Sequence, residues 1–279
     1  MGPRTYAIED PSSTHVRRIY QNHHVHYIPV PVDESGVRTD LLAESNADIV
    51  HVTPAQHFPL GFSMPVQRRL ELLEWVHQGQ GRYIIEDDYN SEFRYHGNQI
   101  PPISSIDITD KVIYLNTFSK TIAPSLRLSY MILPRELMDR YVETMSFYSS
   151  TVSNLQQLTT AHYLEAGYFD RYNNRMKKYF VSQRKMMMRT VREQLPADRF
   201  RLRFFPAGTH MLLEIQTDMP DTELLGKLKE AGILASFVSQ YCEIPDPRYD
   251  HLMILNYSTI TEAKLIRFLT VLRKLVLDA

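Results

Sequence analysis

Lys120 closes a run that begins as an apolar strand and ends in small hydroxyls, Val112-Ile-Tyr-Leu-Asn-Thr-Phe-Ser-Lys120, and Arg127 follows seven positions later. A lysine at the mouth of a buried strand is placed where desolvation can lower its pKa and make the amine a nucleophile. Thr117, Ser119 and Arg127 add neutral donors and one planar cation, the set that a phosphate monoester requires. Upstream, Tyr83-Ile-Ile-Glu-Asp-Asp-Tyr89 ends a second apolar run in acids and a phenol. Side chains alternate along a strand, so the three carboxylates cannot all face one way. Asp87 is the one expected to meet a pyridinium nitrogen, with Glu86 and Asp88 as surface charges or supporting partners. Tyr89 is expected to donate to a phenolate oxygen. An amine for an aldehyde, a carboxylate for a ring nitrogen, a phenol and a phosphate site together describe pyridoxal 5′-phosphate. Each residue also has a plainer use: an exposed corner lysine, a packed tyrosine, two helix-capping hydroxyls.

The elements that must hold these groups are short β-rich runs alternating with helical ones. Candidate strands are Tyr6–Ile8, His26–Val32, Ile49–Val52, Tyr83–Glu86, Val112–Leu115 and Ser129–Leu133. Ser63-Met-Pro-Val predicts a helix start, with Ser63 as cap, Pro65 in the first turn, and Val66, Leu70, Leu73 and Val76 as its apolar stripe. Alternation of this kind predicts an α/β fold with a mainly parallel sheet sandwiched by helices, and with sites at the carboxyl ends of strands. Both chemical motifs sit at such ends.

A long helical region, about Arg135 to Leu195 with a break near Gly167, follows. Its many lysines and arginines read as a solvated outer face, since no base-reading motif accompanies them. From Phe200 onward, Arg201–Phe205, His210–Ile215, Ile233–Phe237 and His251–Asn256 read as strands, and Asp221–Ala231 and Thr261–Leu277 as helices. Pro206-Ala-Gly208 reads as a turn. The division expected is a cofactor-binding large domain over 1–150 with its N-terminal part missing, a helical connection over 151–195, and a smaller C-terminal α+β domain over 196–279. No Gly/Ser linker separates the parts, so close packing is expected.

The 279 residues suffice for this arrangement, and 31 Lys+Arg against 32 Asp+Glu leave no global field directed at nucleic acid or an anionic membrane. The single cysteine, Cys242, rules out an intramolecular disulfide and fits a reducing cytoplasm. No apolar run approaches the roughly 20 residues needed to cross a bilayer, and a secretory leader pattern is missing. His23, His24 and His26 lack a carboxylate or cysteine at ligand spacing, so no metal site is assigned. A chain that opens almost directly in a strand is expected to lack its N-terminal part.

Longer stretches carry a resemblance. These are Glu9-Asp-Pro11, Thr53-Pro54 through Phe58-Pro59 and Gly61, Arg68-Arg69-Leu70, Glu86-Asp-Asp-Tyr-Asn-Ser-Glu-Phe93, Thr117-Phe-Ser-Lys-Thr-Ile-Ala-Pro124, Leu126-Arg127, and Ser153 to Gln157. Together they resemble the aminotransferase-like domain of MocR/GabR-type (GntR-family) transcription regulators, which share the fold type I architecture of aspartate aminotransferase. The resemblance implies that Lys120 forms the internal aldimine, that Asp87 meets the pyridine nitrogen, Tyr89 O3′ and Arg127 the phosphate. His57 is a candidate for the cofactor's oxygen side and equally a loop histidine. A homodimer is implied too, and DNA binding only through an N-terminal winged helix that this chain does not carry.

Departures from the family pattern shape the functional expectation. Ser12-Ser13 stands where Gly-Tyr is usual, which removes a stacking ring. His15 stands where an arginine can bind an amino-acid carboxylate, and the run His251–Tyr257 offers no arginine; Arg248 lies just outside it. Loss of a stacking ring costs about 1 kcal/mol beyond area burial, and loss of a carboxylate clamp more. The expected function is therefore an effector domain that senses pyridoxal phosphate, or its adduct with a small amine or amino acid, through the lysine Schiff base. The alternative is a working aminotransferase in which Lys120 moves the α-proton. A third possibility is an interaction protein with no cofactor.

Overall fold

The computed structural model of the chain describes residues 4–93, 100–203, 205 and 207–278. One sheet contains β1 (Tyr6–Asp10), β2 (Tyr27–Asp33), β3 (Gly36–Val37), β4 (Ile49–Val52), β5 (Tyr83–Asp88), β6 (Val112–Thr117) and β7 (Ser129–Ile132). Their order is β3-β2-β1-β4-β5-β6-β7. The pairs β1–β2, β1–β4, β4–β5 and β5–β6 are parallel, and only the outer strands β3 and β7 run antiparallel. All six expected strands of this part are present, and the mainly parallel α/β fold is the one anticipated.

The connections are helical: α1 (Thr14–Asn22), α2 (Thr39–Glu44), α3 (Val66–His77), α4 (Ile103–Ile106) and α5 (Phe118–Thr121). Ala7, Val30, Val50, Val52 and Ile84 of the sheet pack with Leu42, Leu72, Leu73, Trp75 and Val76 from α2 and α3. The start of α3 differs from expectation. Pro65 is the N-cap residue, and the Ser63 hydroxyl instead donates to the Ala55 carbonyl at 2.7 Å. Val66 and Leu70 are exposed, because the buried stripe runs through Arg69, Leu72, Leu73 and Val76. Arg69 is the reason for that rotation. Its guanidinium donates to the carbonyls of Met64, Pro54 and Pro101, which pins the loop after β4 to the helix.

Next come α6 (Arg135–Met145), α7 (Asn154–Glu165) and α8 (Tyr168–Gln194). The break at Gly167 is found, with the glycine in a left-handed conformation (φ 67°). A second break occupies 146–153, where the Ser150 side chain bonds to Val152 and Ser153 caps α7 through the Gln156 amide. Hydroxyls that offer the backbone such partners compete with helix continuation.

The smaller sheet is antiparallel, in the order β10-β9-β8, from β8 (Phe200–Arg203), β9 (His210–Ile215) and β10 (Leu252–Asn256). The helices α9 (Asp221–Glu230) and α10 (Glu262–Leu277) accompany it, and Met211, Leu213, Met253 and Leu255 pack with Leu265, Leu269 and Leu272 of α10. The expected strand Ile233–Phe237 does not form. Ile233 is tied back to Leu228 at the end of α9, so the run meets β10 only through Ile254 N–H to Ser236 O and one Phe237–Met253 bridge. Of the expected Pro206-Ala-Gly208 turn, Pro206 lies outside the described residues.

The two sheets are fastened together near the end of β1. The Asp10 carboxylate accepts the amides of Glu243 and Ile244 at 2.8 and 2.9 Å, and Ser12 N–H bonds to Tyr241 O at 3.1 Å. The close packing expected from the missing linker is thus built from buried polar contacts.

Candidate active site

Open α/β sheets bind ligands beyond the carboxyl ends of their strands, where the strand order reverses. Here the reversal falls between β1 and β4, since β2 lies on one side of β1 and β5 beyond β4. A cavity of about 460 Å³ lies there. Glu9, Ser12 and Ser13 come to it from the end of β1, His51, Thr53 and Phe58 from β4 and its loop, Asp87 and Tyr89 from β5, and Thr117, Ser119 and Lys120 from β6. Arg127 completes the wall before β7. Six of the seven residues singled out from the sequence therefore line one cavity.

The acidic trio divides as strand alternation requires. Glu86 and Asp88 are buried on one face of β5, and Asp87 is on the other, towards the cavity. Glu86 accepts the amides of Ile103 and Ser104 at 2.8 and 2.9 Å and has Arg69 3.9 Å away. Asp88 accepts the Tyr114 hydroxyl at 2.6 Å. Neither is a surface charge: each holds buried structure together. Asp87 has His51 Nε2 3.7 Å from Oδ2, and His51 Nδ1 is 3.1 Å from the Tyr20 hydroxyl.

Thr117 caps α5, accepting from Ser119 N–H at 3.1 Å, while its hydroxyl donates to Leu128 O at 3.2 Å. The capping use and the place in the cavity wall coexist. Arg127 adopts a left-handed backbone (φ 48°), a conformation that costs a non-glycine residue about 1 kcal/mol or more. Lys120 is exposed on the open side of the cavity, not sunk in the strand mouth as its sequence setting suggested.

His57 takes the loop position, one of the two uses the sequence left open, and Tyr89 makes a bond that the sequence did not show. His57 is fully buried and does not line the cavity; it stacks on Phe62 with ring centroids 4.5 Å apart, and its Nε2 is 3.7 Å from Glu9 Oε2. Burial pushes its pKa down to about 3, so the ring is neutral. Its position is set by the loop after β4, which turns it inward while Phe58 goes to the cavity. Tyr89 reaches the cavity, but its hydroxyl donates to Gln56 O at 3.0 Å. A phenol has one proton, so in this arrangement Tyr89 spends it on Gln56 O and has its lone pairs left for the cavity.

Glu9, His51, Thr53 and Phe58 are cavity residues that residue-type reasoning did not select. Glu9 and Thr53 carry a signal in their motifs; His51, in mid-strand, carries none. Burial raises the Glu9 pKa to about 7, against the lowering effect of its two bonds from Thr53.

Comparison with known proteins agrees with this geometry. The model of the family described as aminotransferase class I and II matches residues 4–249. The chain belongs to the aminotransferase class I and II family. Among curated relatives, the uncharacterized HTH-type transcriptional regulator YdeL of Bacillus subtilis is 37% identical over 81% of this chain and 48% of its own length. The probable rhizopine catabolism regulatory protein MocR of Rhizobium meliloti is 29% identical over 76% of this chain and 43% of its own. The chain thus spans about half the length of these relatives. Among solved structures, a Pyrococcus horikoshii kynurenine aminotransferase in complex with PMP superposes with a TM-score of 0.84 at 22% identity, covering 99% of this chain and 69% of that one. At that identity the likeness establishes the aminotransferase fold.

Proposed function

We propose that this aminotransferase-family chain binds pyridoxal 5′-phosphate and serves as the effector part of a MocR/GabR-type transcriptional regulator. It would sense the cofactor alone or joined to a small amine or amino acid. One observation carries the reading: Lys120, Asp87, Arg127, Thr117 and Ser119, brought from three strand ends, share a single cavity. The donor set fits the group, with an amine for its aldehyde, a carboxylate for its ring nitrogen, and a guanidinium and hydroxyls for its phosphate. Bound there, the cofactor would supply an electron sink for carbanionic chemistry.

The chain's own residues divide the work. Lys120 would present the amine to the cofactor's aldehyde, Asp87 would orient the ring through its nitrogen, and Arg127 would hold the phosphate with Thr117 and Ser119. His51 supports Asp87. Where a stacking tyrosine is usual in the regulators it resembles, Ser13 lines the cavity and offers no ring face.

Sensing is favoured over turnover because Arg127 is the one arginine among the described lining residues. Arg248 is not among them; it forks onto Asp246 at the surface, with Nε and a terminal nitrogen at 2.9 and 2.6 Å. Among the described lining residues a substrate carboxylate thus finds no second guanidinium to clamp it. DNA recognition, in this reading, belongs to the part of the relatives' length that this chain does not span. A homodimer is supported by the exposed apolar surface of Tyr130, Met131, Ile132, Phe147, Leu155 and Leu158, since apolar patches of this kind mark interfaces. No helix of the described residues is long and apolar enough to cross a membrane, which accords with a cytoplasmic regulator.

The test is a titration with pyridoxal phosphate followed by visible absorption, then addition of amines and amino acids. A new band in the wild type that Lys120→Ala abolishes supports the reading. Amine-dependent spectral change without keto-acid release supports sensing. Stoichiometric keto-acid release would favour the transaminase alternative, and absence of any band would sink both.

A further inference from the structure

We propose that Glu9 is a ligand-contacting residue of the cavity, meeting an acceptor oxygen of the bound cofactor through its free Oε1; this rests on the cofactor reading above. Glu9 sits in β1, in the middle of the sheet, and is 3% exposed while lining the cavity. Its two oxygens are treated differently. Oε2 accepts both the amide and the hydroxyl of Thr53, at 2.9 and 2.7 Å. Oε1 is buried and has no hydrogen-bond partner. Buried polar atoms are almost always bonded, so an orphan oxygen on a residue that lines the cavity marks a place for a ligand atom.

The protonation of that oxygen follows from its surroundings. An unpaired carboxylate in a dry site is expensive, and Oε1 has no hydrogen-bond partner among the described residues to offset that cost. His57 stands 3.7 Å from Oε2 but is itself kept neutral by burial. Other titratable groups of the wall are His51 on β4, Asp87 on β5 and Tyr89 just after it, His15 on α1, and Lys120 and Arg127 beyond β6. Of these, His51 acts to ionise Glu9 and Asp87 acts to keep its proton, while burial dominates and raises the pKa to about 7. Because Oε2 already receives two donors, the proton that Glu9 carries below about pH 7 belongs on Oε1 and makes that atom a donor.

Tyr89 supplies the second, independent observation. Its hydroxyl already has an acceptor in Gln56 O, so a ring oxygen placed near it gains from a second donor. Glu9 is close enough to Tyr89 to act on its phenol electrostatically. The carboxyl thus adds a donor beside the phenol, while Tyr89 frames the site.

The experiment compares wild type, Glu9→Gln and Glu9→Ala in pyridoxal phosphate titrations read by absorption and fluorescence between about pH 5 and pH 9. Glutamine keeps the acceptor for Thr53 and an N–H for the ligand but does not titrate. Expected results are an affinity loss on the order of 10-fold for Glu9→Ala, near-wild-type affinity for Glu9→Gln at acidic pH, and disappearance in Glu9→Gln of a step near neutral pH present in the bound wild-type spectrum. If Glu9→Ala does not fold, the Glu9→Gln pH profile decides. Cofactor bound with the same pH profile in wild type and Glu9→Gln overturns the inference alone. No binding by the wild type overturns the cofactor reading and this inference with it.

Discussion

His51 places its Nε2 3.7 Å from Oδ2 of Asp87, and the Tyr20 hydroxyl, 3.1 Å from Nδ1, holds the ring from behind. The carboxylate assigned to the cofactor's ring nitrogen is therefore aimed by a neighbour on the adjacent strand. His51→Ala is predicted to weaken pyridoxal phosphate binding on the order of 10-fold, with Tyr20→Phe producing a smaller loss. Titration by visible absorption measures both; unchanged affinity in His51→Ala would show that Asp87 needs no such support.

The three acids of β5 should separate cleanly on mutation. Asp87→Asn is predicted to lower cofactor affinity by roughly 10- to 100-fold, the value of a charge-assisted bond, with little change in stability. Glu86→Ala strips two buried amides and Arg69 of their acceptor, and should destabilise the fold by about 3 kcal/mol. Chemical denaturation and cofactor titration on the same three variants, Asp88→Asn included, provide the check. A binding defect confined to the Glu86 or Asp88 variants would reverse the assignment.

Acid should destabilise the protein through two buried histidines. His57 and His210 have folded pKa values pushed by burial from 6.5 to about 3 and about 4. In both, the unfolded chain takes up a proton first, so the stability they contribute is present above pH 6.5 and lost as pH falls towards those folded values. Glu9 works in the opposite sense. Its pKa is raised from 4.5 to about 7, so its contribution is full below pH 4.5 and lost as pH rises through 7. Thermal unfolding from about pH 4 to pH 8 should show a steep acid limb that His57→Leu makes shallower. An unchanged acid limb would contradict neutral burial of His57.

Gly208 should resist any side chain. Its φ is +87°, and a Cβ would lie 1.4 Å from Gln56 Nε2. Gln56 is the residue whose carbonyl receives the Tyr89 hydroxyl and whose side chain donates to Ala207 O. Gly208→Ala is predicted to cost on the order of 3 kcal/mol and to weaken cofactor binding as well, because displacement of Gln56 reaches the cavity through Tyr89. Denaturation midpoints and titration give the two readouts.

Much of this site could be read in advance, for identifiable reasons. Strand-end chemistry is local: Lys120, Thr117 and Ser119 lie at the close of an apolar run, and the period of a strand selects Asp87 from its neighbours. Fold type followed from the same alternation of strands and helices. What escaped was decided by tertiary contact. His51 looks like any strand residue until β4 is laid beside β5, and His57 turns inward because the loop after β4 is pinned by Arg69 to the Pro54 carbonyl. The bond from the Tyr89 hydroxyl to Gln56 O was not legible because the two residues lie 33 positions apart. Ile233–Phe237 has strand composition, but its tether to Leu228 leaves only its last residues beside β10.

The most direct measurement is to incubate the chain with pyridoxal phosphate, reduce with borohydride, digest, and locate the added mass by peptide sequencing. A pyridoxyl group on Lys120, absent when Asp87 and Arg127 are both replaced by alanine, is the predicted result. Label spread over surface lysines, or none on Lys120, would contradict the account.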